Sequence, residues 1–355
     1  MNILLIGDFS GFGRNLKAGL QELGHELTIA VSSVGWKKFQ YDLKLSPKKR
    51  NVLTDRIHPY SLLDKLCGYD IVLLIDPLVF YKNYFPRKDF YKRIFKNNGA
   101  SFLIGATMDP FFWRHSNEYM RYTPYNDMLK HDWNPFLQFK LSDKAYDFNR
   151  FVAESVDGII PVMYDYEGSY KMLFPDKTKT IPLPFHVGNS NNITQTINDK
   201  LTFFHGISRF GFKGSEYIEK AFHHIQMKYS DKVELICSRK LPFNEYIEIL
   251  NKSNVVIDQT NSYSYGMNAL YSLNSGKTVM SGAENEALDS LNSSGCPIIN
   301  IIPNVDQIIS EMEAIIENPK LLNKNSERSR MYLKNYHDSV IIADRYINYF
   351  KTKLS

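Results

Sequence analysis

Two cations four residues apart in a glycine-rich loop have the chemistry to hold a diphosphate. They are Arg209 and Lys213, in the segment Phe204-His205-Gly206-Ile207-Ser208-Arg209-Phe210-Gly211-Phe212-Lys213-Gly214-Ser215. A guanidinium can fork onto two phosphate oxygens while an ammonium adds a point charge, and both act more strongly as charge develops on a leaving group. A solvated pair of loop cations is the plainer alternative. A second segment, 259–280, runs through Tyr263 and Tyr265 into Gly266, where the pattern predicts a helix that ends at Gly276. The start of that helix, with Met267 and Asn268 in its first turn, would offer free N–H groups and a favourable dipole to an anion. A third segment, Gly7-Asp8-Phe9-Ser10-Gly11-Phe12-Gly13-Arg14, would bring backbone close to a ligand or would only permit a tight turn. It matches a dinucleotide fingerprint poorly. Leu16 stands where the third glycine would be, and no acidic residue ends the second strand, so a nicotinamide enzyme is disfavoured.

On the acceptor side, Asp109 lies in the polar and aromatic stretch 107–115, after an apolar run. A carboxylate there could take a proton from an acceptor hydroxyl or bind a sugar hydroxyl. Capping or turn formation before Pro110 is the competing role. His115 and His131 are lower-ranked acceptor-side candidates. No Asp-x-Asp motif is present, and His223 and His224 are adjacent on an expected helix and point different ways, so no metal or other cofactor is expected.

These loops need strands and helices to position them. The chain has 355 residues, 43% hydrophobic and 23% charged, which is material for two cores and excludes a small disulfide-stapled module or a disordered chain. Short apolar runs at 2–6, 27–31, 70–75, 101–106 and 158–163 alternate with amphipathic segments, the βαβ pattern of a parallel sheet. A Pro-rich exit at 181–184 and an Asn/Ser/Thr-rich loop at 188–198 mark the domain boundary. A second series follows at 201–205, 233–237, 254–258, 278–280 and 298–302, and two helices close the chain. The expectation is therefore α/β, with two doubly wound Rossmann-like domains facing a cleft. The first spans 1–187, the second 200–335, and a terminal helix covers 336–355. Ligands in such sheets bind beyond the carboxyl ends of the strands.

The net charge is +5, with 22 basic and 15 acidic residues in 1–150 against 21 and 23 in 151–355. Stretches 37–50 and 81–96 each carry six cations, the second interleaved with aromatics. Contact with an anionic membrane would use such a surface. Yet Phe90, Tyr91, Ile94 and Phe95 share one helical face, which also fits a helix packed on its own core. No nucleic-acid module accompanies the charge. Three scattered cysteines, no basic leader and no apolar run long enough to span a bilayer predict a cytoplasmic protein, with peripheral contact at the inner face of the membrane.

The two loops in order, Gly-x-x-Arg-x-x-x-Lys-Gly and then a small-residue loop, Tyr-Gly, a helix and Gly276-Lys277-x-Val279, resemble the donor domain of GT-B fold glycosyltransferases of the large retaining family. The segment Val256-Ile257-Asp258-Gln259, with Ala269 and Gly276-Lys277, is similar to a bacterial subgroup that builds surface polysaccharides. The resemblance extends over the whole chain in organisation and implies GT-B architecture. It also implies a nucleotide-diphosphate-sugar donor, a carbohydrate or lipid-linked acceptor, and retention of anomeric configuration. The implied donor-binding residues are Gly11, Gly13, Gly206, Tyr263, Tyr265, Gly266, Met267, Asn268 and Tyr271. One departure stands out. Aligning on Gly266 and Gly276 puts Tyr263 and Tyr271 where the family carries two glutamates, the second of which binds the donor ribose. A tyrosine hydroxyl cannot supply a bidentate carboxylate. Glu284 and Glu286 are candidates to supply part of the polar contact, with a solvated helix start as their alternative. A non-catalytic sugar- or nucleotide-binding relative, or a nucleotide-sugar epimerase, would have the same outline.

Overall fold

The runs of Ile, Leu and Val form strands buried on both faces, as parallel sheets covered by helices require. Ile71–Ile75 is buried throughout. The computed structural model describes residues 1–32, 40–47, 52–80, 87–187, 197, 199–239 and 241–354. Among these, the first sheet has six strands: β1 (Asn2–Ile6), β2 (Glu26–Val31), β3 (Leu43–Lys44), β4 (Ile71–Ile75), β5 (Ala100–Gly105) and β6 (Gly158–Pro161). Their order is β3-β2-β1-β4-β5-β6, all parallel, with Ile3 opposite Leu27 and Ile71. The second sheet holds β7 (Leu201–Ile207), β8 (Val233–Arg239), β9 (Val255–Ile257), β10 (Thr278–Ser281) and β11 (Ile299–Asn300), in the order β11-β10-β9-β7-β8. It too is parallel throughout. Two-residue β3 is absent from the sequence reading because a strand that short carries no alternation to read.

The helix Lys88–Lys96 buries Phe90, Tyr91 and Ile94 in the first core and leaves Lys88, Lys92, Arg93 and Lys96 exposed. Its apolar face is thus occupied by its own domain. Residues 33–39, 48–51 and 81–86, which carry much of the expected basic surface, lie outside the described residues, as does most of the boundary loop 188–198. No helix among the described residues is long and apolar enough to cross a membrane.

The chain crosses between domains at two places that lie side by side. Phe185 N–H donates to the His337 carbonyl at 2.6 Å, and Ser339 N–H donates to the Phe185 carbonyl at 3.0 Å. The last helix, Ser339–Lys351, then packs on Phe12–Glu22 of the first domain and sets Phe350 4.8 Å from Phe102. These two helices touch at Gly19, where an added Cβ would lie 1.9 Å from the Ser339 carbonyl oxygen. Helix propensity alone favours Gly19→Ala by about 1 kcal/mol, whereas overpacking against backbone costs ~1–3 kcal/mol. The steric term wins. Urea unfolding of Gly19→Ala should therefore show a net loss of ~1–2 kcal/mol; a gain would mean that the helices part freely.

Candidate functional site

The loops after β7 and β9 form the second domain's side of the cleft, at the point where strand order turns. β7 ends at Ile207, and the short helix Phe210–Lys213 follows at once. Arg209 precedes it in extended backbone, solvent-exposed, with its guanidinium 3.8 Å from the centre of the Phe212 ring. It makes no ion pair or hydrogen bond among the described residues. Next to it the helix Met267–Asn274 begins at Gly266, which is extended, has no side-chain cap and leaves open space where a Cβ would stand. A shallow recess beside the first turn of this helix is lined by Gly206, Ser208, Ser238, Leu241, Tyr246 and Asn268, and Arg209 directly follows Ser208 in its rim. A free cation and an uncapped helix start around a recess suit an anion.

Lys213 differs from the expectation. It is 3% exposed, and its ammonium donates to the Gly206 carbonyl at 2.7 Å and to Asp258 Oδ1 at 2.6 Å. A buried ammonium needs a carboxylate and acceptors around it, and this one has spent its donors on tying β7 to the end of β9.

Facing these loops are the loops after β1, β5 and β6 of the first domain, and polar contacts fill the seam. Asp132 Oδ2 accepts from the N–H groups of Gly211 at 2.7 Å and Phe212 at 3.2 Å. Asp127 accepts from the Asn261 amide at 2.7 Å. Asp165 accepts from Ser262 Oγ and from the N–H groups of Tyr263 and Ser264. Burial pushes the Asp165 carboxyl up from its ordinary value, against the downward pull of those donors. These aspartates were not among the sequence candidates, because nothing in local spacing separates them from ordinary acids at helix ends.

The two tyrosines at the glutamate positions turn out to be seam residues. Tyr263 is fully buried, its hydroxyl accepting from the Arg121 N–H at 2.6 Å and its ring stacked 5.7 Å from Tyr164. The Tyr271 hydroxyl accepts from the Arg14 guanidinium at 3.1 Å. Glu284 and Glu286 pair with Arg121, and Glu284 also accepts from the Tyr122 hydroxyl at 2.8 Å. All four therefore point across to the first domain. Tyr265 points backwards, its hydroxyl bonded to Tyr332 at 2.6 Å and to His337 Nε2 at 2.9 Å. Met267 is buried, and Asn268 reaches the recess and Asp258. Gly206 lines the recess.

In the first domain, Gly11 adopts φ +81° at the start of Phe12–Glu22. Gly13 is a packing position, since a Cβ there would lie 2.9 Å from Leu5. Asp109 is 1% exposed. Its Oδ1 caps Pro110–Tyr119 through the N–H groups of Phe111 and Phe112, and its Oδ2 accepts from the Tyr170 hydroxyl at 2.7 Å. With both oxygens so used, it serves as a cap and does not face an acceptor hydroxyl. His115 bonds Tyr146 and Glu118 of its own domain, whereas His131 lies in the seam, 2.9 Å from Glu216. No cluster of three or more His, Cys, Asp or Glu is placed to hold a metal among the described residues.

No protein-family model matches the chain, and no curated protein sequence does either. Solved structures do match. HepE of Anabaena, in complex with UDP-glucose, aligns at a TM-score of 0.62 and 11% identity over 99% of this chain and 100% of that one. Sucrose-phosphate synthase from Thermosynechococcus elongatus aligns at 0.65 and 11% identity, covering 99% and 98%. A glycosyltransferase from Rickettsia africae aligns at 0.58 and 12% identity, covering 100% and 98%. At these identities the likeness is one of fold, and the fold is GT-B: two parallel-sheet α/β domains.

Burial raises the Asp109 carboxyl from 3.8 to about 6. Between those values the folded chain holds a proton that the unfolded chain has lost, so this group makes stability fall as pH rises from about 4 to 6. The full effect is ~1–3 kcal/mol. Urea unfolding at pH 4.5 and 7 should show a smaller pH difference in Asp109→Asn than in the wild type.

Proposed function

We propose that the chain is a glycosyltransferase that moves a sugar from a nucleotide-diphosphate donor to a carbohydrate or lipid-linked acceptor. It acts without a metal and serves surface polysaccharide or glycoconjugate biosynthesis, with retention of configuration implied by the family resemblance. The observation that carries this reading is the Arg209 guanidinium, unpaired among the described residues, in the loop after β7, together with the uncapped start of Met267–Asn274, whose Asn268 lines a shallow recess with Gly206 and Ser208. Arg209 would fork onto the diphosphate and the helix start would receive its second phosphate, so that both stabilise the leaving group as its charge grows. The nucleoside would lie over the mouth of the recess, by Ser238 and Leu241. The UDP-glucose complex of HepE supports a nucleotide-sugar donor by analogy of fold.

A second reading is favoured by Tyr263 and Tyr271. With their hydroxyls engaged by Arg121 and Arg14, the chain would be a GT-B partner subunit that binds a sugar or nucleotide without turnover.

A thermal-shift panel of UDP, GDP and ADP on the wild type and Arg209→Ala tests the donor assignment. One nucleotide is expected to raise the melting midpoint, and Arg209→Ala should abolish that rise while leaving the ligand-free midpoint within a few degrees. The absence of a shift with all three would reject it. A shift without transfer or hydrolysis of the matching sugar donor would favour the partner subunit. Lys213→Ala should behave differently, losing ~3–5 kcal/mol of stability because Asp258 is left buried and unpaired; a fully stable Lys213→Ala would contradict its structural role.

A further inference from the structure

Asp165 sits in the first turn of Tyr164–Leu173, directly after β6, and is 3% exposed. No cation pairs with it among the described residues. A buried carboxylate persists only where donors surround it. Three of its donors come from the other domain and are consecutive: Ser262 Oγ, Tyr263 N–H at 3.1 Å and Ser264 N–H at 2.9 Å. They belong to the loop that runs from β9 through Tyr265 to Gly266, the start of the proposed phosphate-facing helix. The second domain supplies its own partners for the carbonyl side of this loop. Glu284 N–H donates to the Tyr263 carbonyl at 3.0 Å, and the Gln259 amide donates to the Ser264 carbonyl at 2.8 Å. Among the described residues, the N–H groups of Tyr263 and Ser264 are satisfied only from across the cleft, whereas that of Thr260 donates to the Lys213 carbonyl at 3.0 Å within the second domain.

We propose that Asp165 is a positioning residue that completes the donor-side loop from the opposite domain, so that nucleotide-diphosphate affinity depends on the two domains being closed on each other. This rests on the donor reading above. With the domains apart, Tyr263 and Ser264 lose their acceptor, Gly266 loses its fixed approach, and the helix start is no longer held toward the recess. Neighbouring contacts act in the same sense: Asp127 holds Asn261, and Arg121 bridges to Glu284 and Glu286.

Two readouts test this on the full chain, with Asp165→Ala and the isosteric Asp165→Asn. The first is hydrogen exchange of peptides covering 262–266 against peptides covering β9; the second is affinity for the nucleoside diphosphate selected by the panel. Asp165→Ala should raise loop exchange about tenfold with β9 unchanged and weaken nucleotide binding about tenfold, with Asp165→Asn intermediate because one oxygen still accepts. Unchanged exchange in the loop overturns the clamp. Raised exchange with affinity within about twofold of wild type overturns the coupling. If Asp165→Ala fails to fold, Asp165→Asn carries both measurements against the same outcomes. A wild-type chain that binds none of the nucleotides removes the donor reading, and the exchange result alone then upholds or overturns the clamp.

Discussion

Carboxylates of the first domain meet donors at the loops of the second, and the shape of the cleft depends on this pairing. Asp132 takes two N–H groups at the start of Phe210–Lys213, Asp165 takes two more and a hydroxyl at 262–264, and Asp127 takes the Asn261 amide. The first 150 residues carry a basic excess, yet the groups among them that meet the loop donors of the second domain include Asp127 and Asp132. Net charge therefore says little about this seam. What decides it is that an exposed N–H, once buried, must find an acceptor, and an aspartate is short enough to provide one without filling the space.

The two cations that first suggested diphosphate binding show how finely position sorts chemistry. Arg209 comes before the turn of helix, in extended backbone, and its guanidinium reaches solvent over the Phe212 ring. Lys213 closes that turn, and its side chain is carried inward to Asp258. Such a buried pair adds little to stability against apolar packing, but it fixes the relative placement of the ends of β7 and β9. One cation is thereby left without an ion pair among the described residues, while the other ties Gly206 to Asp258.

The architecture was legible because it rests on local patterns: apolar runs of three to six residues, glycines at helix ends, and alternation with amphipathic segments. The helix beginning at Gly266 could be read the same way. The roles of Tyr263, Tyr271, Glu284 and Glu286 could not, since each is set by a partner more than a hundred residues away in the other domain. The family resemblance placed them at a donor site, whereas their side-chain directions are decided by Arg121, Arg14 and Tyr122. Asp109 lay between these cases. Asp before Pro is a recognisable helix start, and the capping alternative weighed for it is the geometry found.

The pairing of Phe102 with Phe350, and of Phe12–Glu22 with Ser339–Lys351, bears on the order in which the protein is made. The first sheet is complete once β6 has been synthesised, but Leu16, Leu20 and Phe102 wait for Ile342, Tyr346 and Phe350 to cover them. Throughout synthesis of the second domain, the nascent first domain carries an uncovered apolar strip on its surface. Folding of the N-terminal half is thus finished by residues made only after the whole second domain, and any loss of Ile342, Tyr346 and Phe350 would strike first at the domain farthest away in sequence.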